Sequence, residues 1–372
     1  MSRAARGGDT LGQRALARAT LERQWLLRRH DMSVAAALEH LVGLQAQATD
    51  QPYFGLWTRL ANFAFQDLDR LVLQKDVVRC ALLRSTLHLV TSRDALRLRP
   101  VLQPVQDRAL AAAHGPRLAG LNLAEVAAAT REILAERPLT YQELGERLRM
   151  RWPDRGGDVL ANAARNVEAL VQAPPALWGG GARVRVTLMS EWLDEPLGDE
   201  VEPGPLVMRY LAAFGPASVA DIRAWSGLAG ISEVVEALRP RLRVFKNEAG
   251  VELFDLPNAP RPEPDTPAPV RLLGGFDGLI LGFADRSRFL DDAHRRHIAT
   301  VNGIFHPLIL IDGRVAGVWK LIVAKRAASV ELTPFAPLQA NHRSDLVREA
   351  EALLAAAAPD RPDRDVRLKP AQ

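Results

Sequence analysis

The sequence predicts a mainly α-helical fold with β-hairpin wings, an α+β class: three tandem winged helix-turn-helix units and a small C-terminal β-rich module. Three observations carry this. A helix-start pattern occurs twice, at Pro138-Leu139-Thr140 with Glu143 and at Pro216-Ala217-Ser218 with Asp221. In both, the hydroxyl caps the first turn and the acid three residues on completes a capping box. Each start lies between helix-period runs, and each series ends in a β-type stretch. Helices followed by a hairpin, repeated, make the winged helix-turn-helix.

Taken in order, residues 16–29, 34–44 and 52–64 read as helices. Residues 77–83 and 86–91 alternate as a hairpin, so 10–110 forms the first unit. Residues 123–136 and 159–171 are helical in period and 183–188 is β-type, which places a second unit at 111–200. Residues 205–214 and 231–238, then 251–254, place a third at 201–258. Six prolines between Pro257 and Pro269 cannot hold a helix or an inner strand, so 259–269 is a linker. Beyond it, 270–280, 303–311 and 314–324 read as strands with a turn at Asp312-Gly313. A helix over 342–358 closes the module at 270–360, and 359–372 reads as a frayed tail.

At 372 residues the chain is long enough for two or three domains, and 48% hydrophobic with 25% charged residues excludes extended disorder. A single cysteine, Cys80, excludes an internal disulfide and a four-cysteine zinc site. Charges interrupt every long apolar stretch, and the first twelve residues lack an apolar core. The expectation is a cytoplasmic, nucleoid-associated monomer with no membrane contact. The net charge of +4 is uneven: residues 1–110 hold 16 Lys and Arg against 10 acids, and 15 of the 16 are arginine. Arginine forks match phosphate oxygens, so this third is the expected anion-facing segment unless the bias merely reflects codon usage.

Three constellations stand out. In Gly43-Leu44-Gln45-Ala46-Gln47-Ala48-Thr49-Asp50-Gln51-Pro52, an extended backbone puts Gln45 and Gln47 on one face. Pro52 suits the first turn of a following helix. The two amides either share a task at this joint or cap backbone groups in the turn; Asp50 either assists them or belongs to the next cap. In Arg79-Cys80-Ala81-Leu82-Leu83-Arg84-Ser85-Thr86-Leu87-His88, the two-residue spacing puts Arg84, Thr86 and His88 on one hairpin face. The third, from Phe276-Asp277 through Asp285-Arg286-Ser287-Arg288 to His294-Arg295-Arg296-His297, reads as phosphate contact or a solvated face. His294 and His297 lack a third ligand at a recognisable spacing, so no metal is expected. A P-loop, a Gly-x-Ser-x-Gly elbow and HExxH are absent from the sequence.

The blocks Leu41-Val42-Gly43-Leu44-Gln45-Ala46-Gln47, Gln51-Pro52-Tyr53-Phe54-Gly55-Leu56-Trp57-Thr58-Arg59-Leu60 and Arg84-Ser85-Thr86-Leu87-His88-Leu89-Val90 resemble the tandem winged-helix DNA glycosylases of the AlkZ type. Phe276–Arg286 and Asn302–Trp319 resemble the same family's C-terminal module. The resemblance implies excision of bulky N7-alkylated purines from double-stranded DNA, crosslinks included, in base-excision repair or self-resistance to a genotoxic antibiotic. It implies that Gln45 and Gln47 are catalytic and that the hairpin near 77–91 is essential. Some branches carry Asp at the second position, where this chain keeps Gln. Expected accessory residues are Asp50 and His88. Expected DNA contacts are Arg59, Arg79, Arg84, Thr86, His88, Arg286 and Arg288. No cofactor and no lyase activity are expected. The rival function is a DNA-binding transcriptional regulator without catalysis, which would need no paired amides.

Overall fold

The computed structural model describes residues 10–173, 176–180 and 184–371. The first segment holds β1 (Thr10–Leu11), α1 (Gln13–Arg23), α2 (Val34–Leu41), β2 (Leu44–Gln45), α3 (Gln51–Trp57), α4 (Phe65–Leu73), β3 (Val77–Ala81), β4 (Leu87–Thr91), α5 (Ser92–Val101) and α6 (Gln103–Leu118). The second holds α7 (Leu123–Glu136), α8 (Tyr141–Arg149), α9 (Gly157–Val167), β5 (Leu170–Gln172), β6 (Val186–Leu188) and α10 (Met189–Leu193). The third holds α11 (Gly204–Phe214), α12 (Val219–Ser226), α13 (Ile231–Leu238), β7 (Arg243–Asn247) and β8 (Glu252–Asp255).

Both capping boxes form as read: the Thr140 hydroxyl accepts from Glu143 N and the Ser218 hydroxyl from Asp221 N, and each acid accepts from the backbone N–H of its cap residue. Helices α4, α5 and α6 are among those that the periodicity does not predict. Phe65, Leu68 and Val72 form one buried stripe, and their burial makes α4 a separate element after the loop at 58–64.

 Prolines 100, 104 and 116 mask α5 and α6 in the sequence; Pro104 lies in the first turn of α6, just past Leu102, which caps the end of α5.

The segments interlock. The hairpins of the first and second segments share one five-stranded sheet, ordered β2-β4-β3-β5-β6, joined where Cys80 pairs with Val171. β1 pairs in parallel with β7, so Thr10 and Leu11 extend the third segment's hairpin. In the C-terminal module, β9 (Arg271–Leu273), α14 (Gly278–Leu281), β10 (Leu308–Ile311), β11 (Arg314–Val323), β12 (Ala327–Pro334), α15 (Ala340–Ala357) and β13 (Asp363–Leu368) build a sheet ordered β13-β12-β11-β10-β9. Residues 257–269 carry no helix or strand, as the prolines require.

Two expectations need correction here. The strand expected over 270–280 stops at Leu273, because Gly274 and Gly275 interrupt it, Phe276 takes φ +61°, and the Asp277 carboxylate caps α14 through Leu279 N. The expected frayed tail instead forms β13, paired in parallel along β12 with Val330 opposite Val366.

The arginine excess of the first segment has an internal destination. Arg14 and Arg18 pair with Asp312, Arg23 with Asp255, Arg29 with Glu349, and Arg59 with Asp277. The last is fully buried and bidentate, both nitrogen–oxygen distances being 2.8 Å. It locks the end of α3 to the C-terminal module, where Gly275 N also donates to the Gln51 Oε1 at 2.5 Å. Removing one partner of such a pair strands a buried charge, at a cost of roughly 3–5 kcal/mol. Asp277→Ala is expected to lose about that much in urea denaturation, and Arg59→Met with Asp277→Leu to recover part of it. An Asp277→Ala protein as stable as the wild type would show that the pair does not hold the module.

Candidate active site

The site is built on the edge strand β2. α2 ends with Val42 and Gly43 both left-handed, at φ +57° and +85°, and Gly43 N donates back to Leu38 O at 2.7 Å. A Cβ on Gly43 would lie 2.4 Å from Val90 Cγ1, so only glycine lets the chain reverse this close to β4. Beyond the reversal, Leu44 pairs with Leu89 and Gln45 with His88, and Ala46 N donates to Leu87 O at 2.7 Å. Leu44 and Ala46 are buried, whereas Gln45 is half-buried and Gln47 exposed. The extended backbone therefore turns both amides to the outer face, as their spacing predicts.

Both amides are anchored through their carbonyl oxygens. Arg84 Nη2 donates to Gln45 Oε1 at 2.6 Å, and Leu87 N donates to Gln47 Oε1 at 3.1 Å. A guanidinium and a backbone N–H can only donate, so each amide is oriented oxygen-first toward its partner. The NH2 groups and one remaining lone pair per oxygen are left for a ligand.

Arg79 fixes the backbone between the two glutamines. Its Nε donates to Ala46 O at 2.6 Å, Nη2 to Gln47 O at 3.0 Å and Nη1 to Gln172 Oε1 at 2.7 Å. Burial draws its pKa down to about 10, which leaves it charged at neutral pH. The hairpin turn is gripped by the second and third segments. Ser85 donates to Asn166 Oδ1 at 3.1 Å, Arg165 donates to Ser85 O at 2.7 Å, and Arg84 Nη1 donates to Trp225 O at 2.5 Å.

Several expected DNA contacts face inward instead. Arg59 is consumed by Asp277, and Arg288 is buried, donating to Thr20 Oγ1 and Pro216 O with its guanidinium 4.4 Å from the Phe283 ring centre. Arg79 and Arg84 hold the strand and the turn. Thr86 folds its hydroxyl onto Leu83 O at 3.0 Å. Arg84, Thr86 and His88 do not form a strand face, because residues 83–85 are a 3-10 turn with Arg84 and Ser85 at positive φ. Two-residue spacing misreads a turn as strand. Arg286 is half-buried, with its guanidinium 5.6 Å from the Phe305 ring centre.

His88 is buried, and its Nδ1 donates to Thr86 O at 3.0 Å. Burial, reinforced by the Arg84 charge, lowers its pKa to about 3, so the ring is neutral and holds the turn. Asp50 lines a separate cavity of about 600 Å3 with Gln66, Trp178 and the end of α15. Burial raises the Cys80 thiol to about 12, which excludes a thiolate nucleophile at neutral pH. His294 and His297 pack at a tilt against Phe335, with ring centres 4.6 and 5.4 Å away. Sequence reasoning missed Gln172, Arg165, Asn166 and the Trp225 carbonyl; they come from other segments, and no local pattern marks them.

A family model described as DNA glycosylase AlkZ-like matches residues 38–356. The chain belongs to the AlkZ-like DNA glycosylase family. It is thus a DNA-repair hydrolase acting on glycosyl bonds, with DNA as its substrate. A relative from Streptomyces sahachiroi, named interstrand DNA cross-link repair glycosylase, is 28% identical over 337 residues, spanning 81% of this chain and 86% of that one. The solved structure of Streptomyces sahachiroi DNA glycosylase AlkZ matches with a TM-score of 0.77 at 23% identity, over 97% of this chain and 100% of that one, and shows a shared fold. No helix among the described residues is long and apolar enough to cross a membrane.

The neutral His88 of this AlkZ-like chain makes a pH prediction. Above pH 6.5 the ring is neutral folded and unfolded alike. Below that, the unfolded chain binds a proton that the folded ring refuses down to about pH 3, so stability falls with pH. Between pH 7.5 and 5 the loss is about 2 kcal/mol. His88→Asn keeps a donor for Thr86 O and removes the titration. Urea denaturation at the two pH values is expected to show a smaller acid loss in this variant by about that amount. Equal losses would place a charged or solvated ring at position 88.

Proposed function

We propose that this AlkZ-like chain is a monofunctional DNA glycosylase that hydrolyses the N-glycosidic bond of bulky N7-alkylated purines in double-stranded DNA. Interstrand crosslinks belong to the same substrate class, and the role is base-excision repair or self-resistance to a genotoxin. Gln45 and Gln47 are the catalytic pair in this reading. The observation that carries it is the shared outward face of the two amides, each held by its carbonyl oxygen. The three helix-plus-hairpin segments are read as winged-helix units presenting this face to the duplex as a monomer in the nucleoid.

The chemistry follows from the residue type. An N7-alkylated purine is already cationic, so it leaves without a strong general acid. Ordinary glycoside hydrolysis uses a raised-pKa acid and a second carboxylate. Glutamine does neither job at neutral pH. The remaining lone pair on Gln47 Oε1 accepts a hydrogen bond from water and orients it toward the anomeric carbon. The amide dipoles stabilise positive charge developing on the sugar. Undamaged nucleotides, whose bases leave poorly, are spared.

Water also fits as the nucleophile because the nearest lysine in sequence is spatially committed elsewhere. Lys75 donates to Trp192 O at 2.9 Å, and its amine sits 4.3 Å from that ring's centre. It precedes β3, five residues before Cys80, the residue opposite His88, or about 17 Å along a strand.

Gln45→Ala and Gln47→Ala are each expected to slow single-turnover release of N7-methylguanine by roughly 10²–10³-fold, the range for loss of one preorganised dipole. Duplex affinity should stay near wild type. Wild-type excision by either variant would remove that residue from the mechanism. Borohydride is expected to trap no protein–DNA adduct, and abasic strands should stay intact until alkali is added. A trapped adduct lost in Lys75→Ala would instead establish a lyase.

A further inference from the structure

Among the described residues, Arg84 is the one side chain that hydrogen-bonds a proposed catalytic amide and the third segment at once. Its Nη2 donates to Gln45 Oε1 at 2.6 Å and its Nη1 to Trp225 O at 2.5 Å, on the last turn of α12. Its backbone stands at φ +54°, inside a turn tied on its other side to Asn166 and Arg165. The α12 end is itself shaped to receive it. Gly227 terminates the helix at φ +78°, and a Cβ there would lie 3.2 Å from Arg84 Cα and 3.3 Å from Arg84 N. Arg108 donates to Gly227 O, tying the same turn to α6.

We propose that Arg84 is a positioning residue: it carries the orientation of the Gln45 amide and sets it from the C-terminal turn of α12 in the third segment. Three physical points support this. The side chain has a rigid fork, so fixing one nitrogen on a main-chain carbonyl fixes where the other points. A donor-only partner selects the amide rotamer with oxygen inward and NH2 outward. A half-buried amide without that partner would rotate between two near-equivalent orientations, only one of which serves the reaction. The third segment thereby contributes to catalysis without touching the reacting atoms. The inference rests on the catalytic reading of Gln45.

The test separates positioning from phosphate contact and from that reading. Single-turnover release of N7-methylguanine and duplex affinity against salt are measured for wild type, Gln45→Ala, Arg84→Ala, Arg84→Met, Gly227→Ala and the Arg84→Ala/Gly227→Ala double variant. Arg84→Ala and Arg84→Met are expected to slow release on the order of 10²-fold, the scale for a misplaced group. The slope of log affinity against log salt should be unchanged; a lost phosphate contact would reduce it by about 0.9 and overturn the proposal. Gly227→Ala is expected to slow release in the wild-type background and to add little to Arg84→Ala, because both act through one side chain. Full additivity would show that α12 does not act through Arg84. Low millimolar guanidinium is expected to restore part of the Arg84→Ala rate but nothing in Gln45→Ala, a response that a misfolded variant cannot give. If Gln45→Ala is inactive while both Arg84 variants release base at the wild-type rate, the positioning role is wrong and the catalytic reading stands. If Gln45→Ala is itself fully active, the catalytic reading fails first.

Discussion

The site depends on keeping a two-residue strand, Leu44–Gln45, on the edge of the hairpin sheet. An edge strand this short has little pairing energy of its own. It stays in register because its neighbours leave no alternative. Leu44 and Ala46 are buried, so a one-residue slip would bury both glutamines and expose both apolar residues. Gly43 admits the chain beside Val90, and Arg79 clamps the carbonyls of Ala46 and Gln47. The outward face of the two amides is thus a consequence of packing beneath them.

The same economy explains the arginines. A cation-rich first segment suggests a surface for phosphates, yet Arg18, Arg23 and Arg59 are buried against acids contributed by residues beyond 250. They fasten the chain's beginning to its end. Arg79 and Arg84 do the same at shorter range for the hairpin. Arginine suits this work because one planar fork can satisfy two acceptors in different segments and remain charged. Arg79 shows it, reaching Ala46 O in the first segment and Gln172 Oε1 in the second at once.

What was legible in the sequence was local. The helices Leu123–Glu136 and Ile231–Leu238 and the starts after Thr140 and Ser218 follow from period and capping, whose physics lies within a few residues. The shared face of Gln45 and Gln47 follows from the strand period. What stayed hidden was long-range. Nothing near Arg59 announces Asp277, and nothing near Arg84 announces the Trp225 carbonyl. The joining of two hairpins through Cys80 and Val171 and the parallel strand Asp363–Leu368 likewise depend on tertiary pairing. The hairpin was foreseen, but its turn at Arg84 and Ser85 takes positive φ values that residue type does not advertise.

In the proposed mechanism an uncharged amide pair, working on water, suffices because the departing base brings its own positive charge. The most direct measurement compares single-turnover base release from matched duplexes carrying one N7-methylguanine or one O6-methylguanine, a cationic and a neutral adduct of the same base. Release of the N7 adduct and no release of the O6 adduct above background are expected. Comparable release of both would contradict it, since expelling a neutral guanine requires an acid that these glutamines cannot supply.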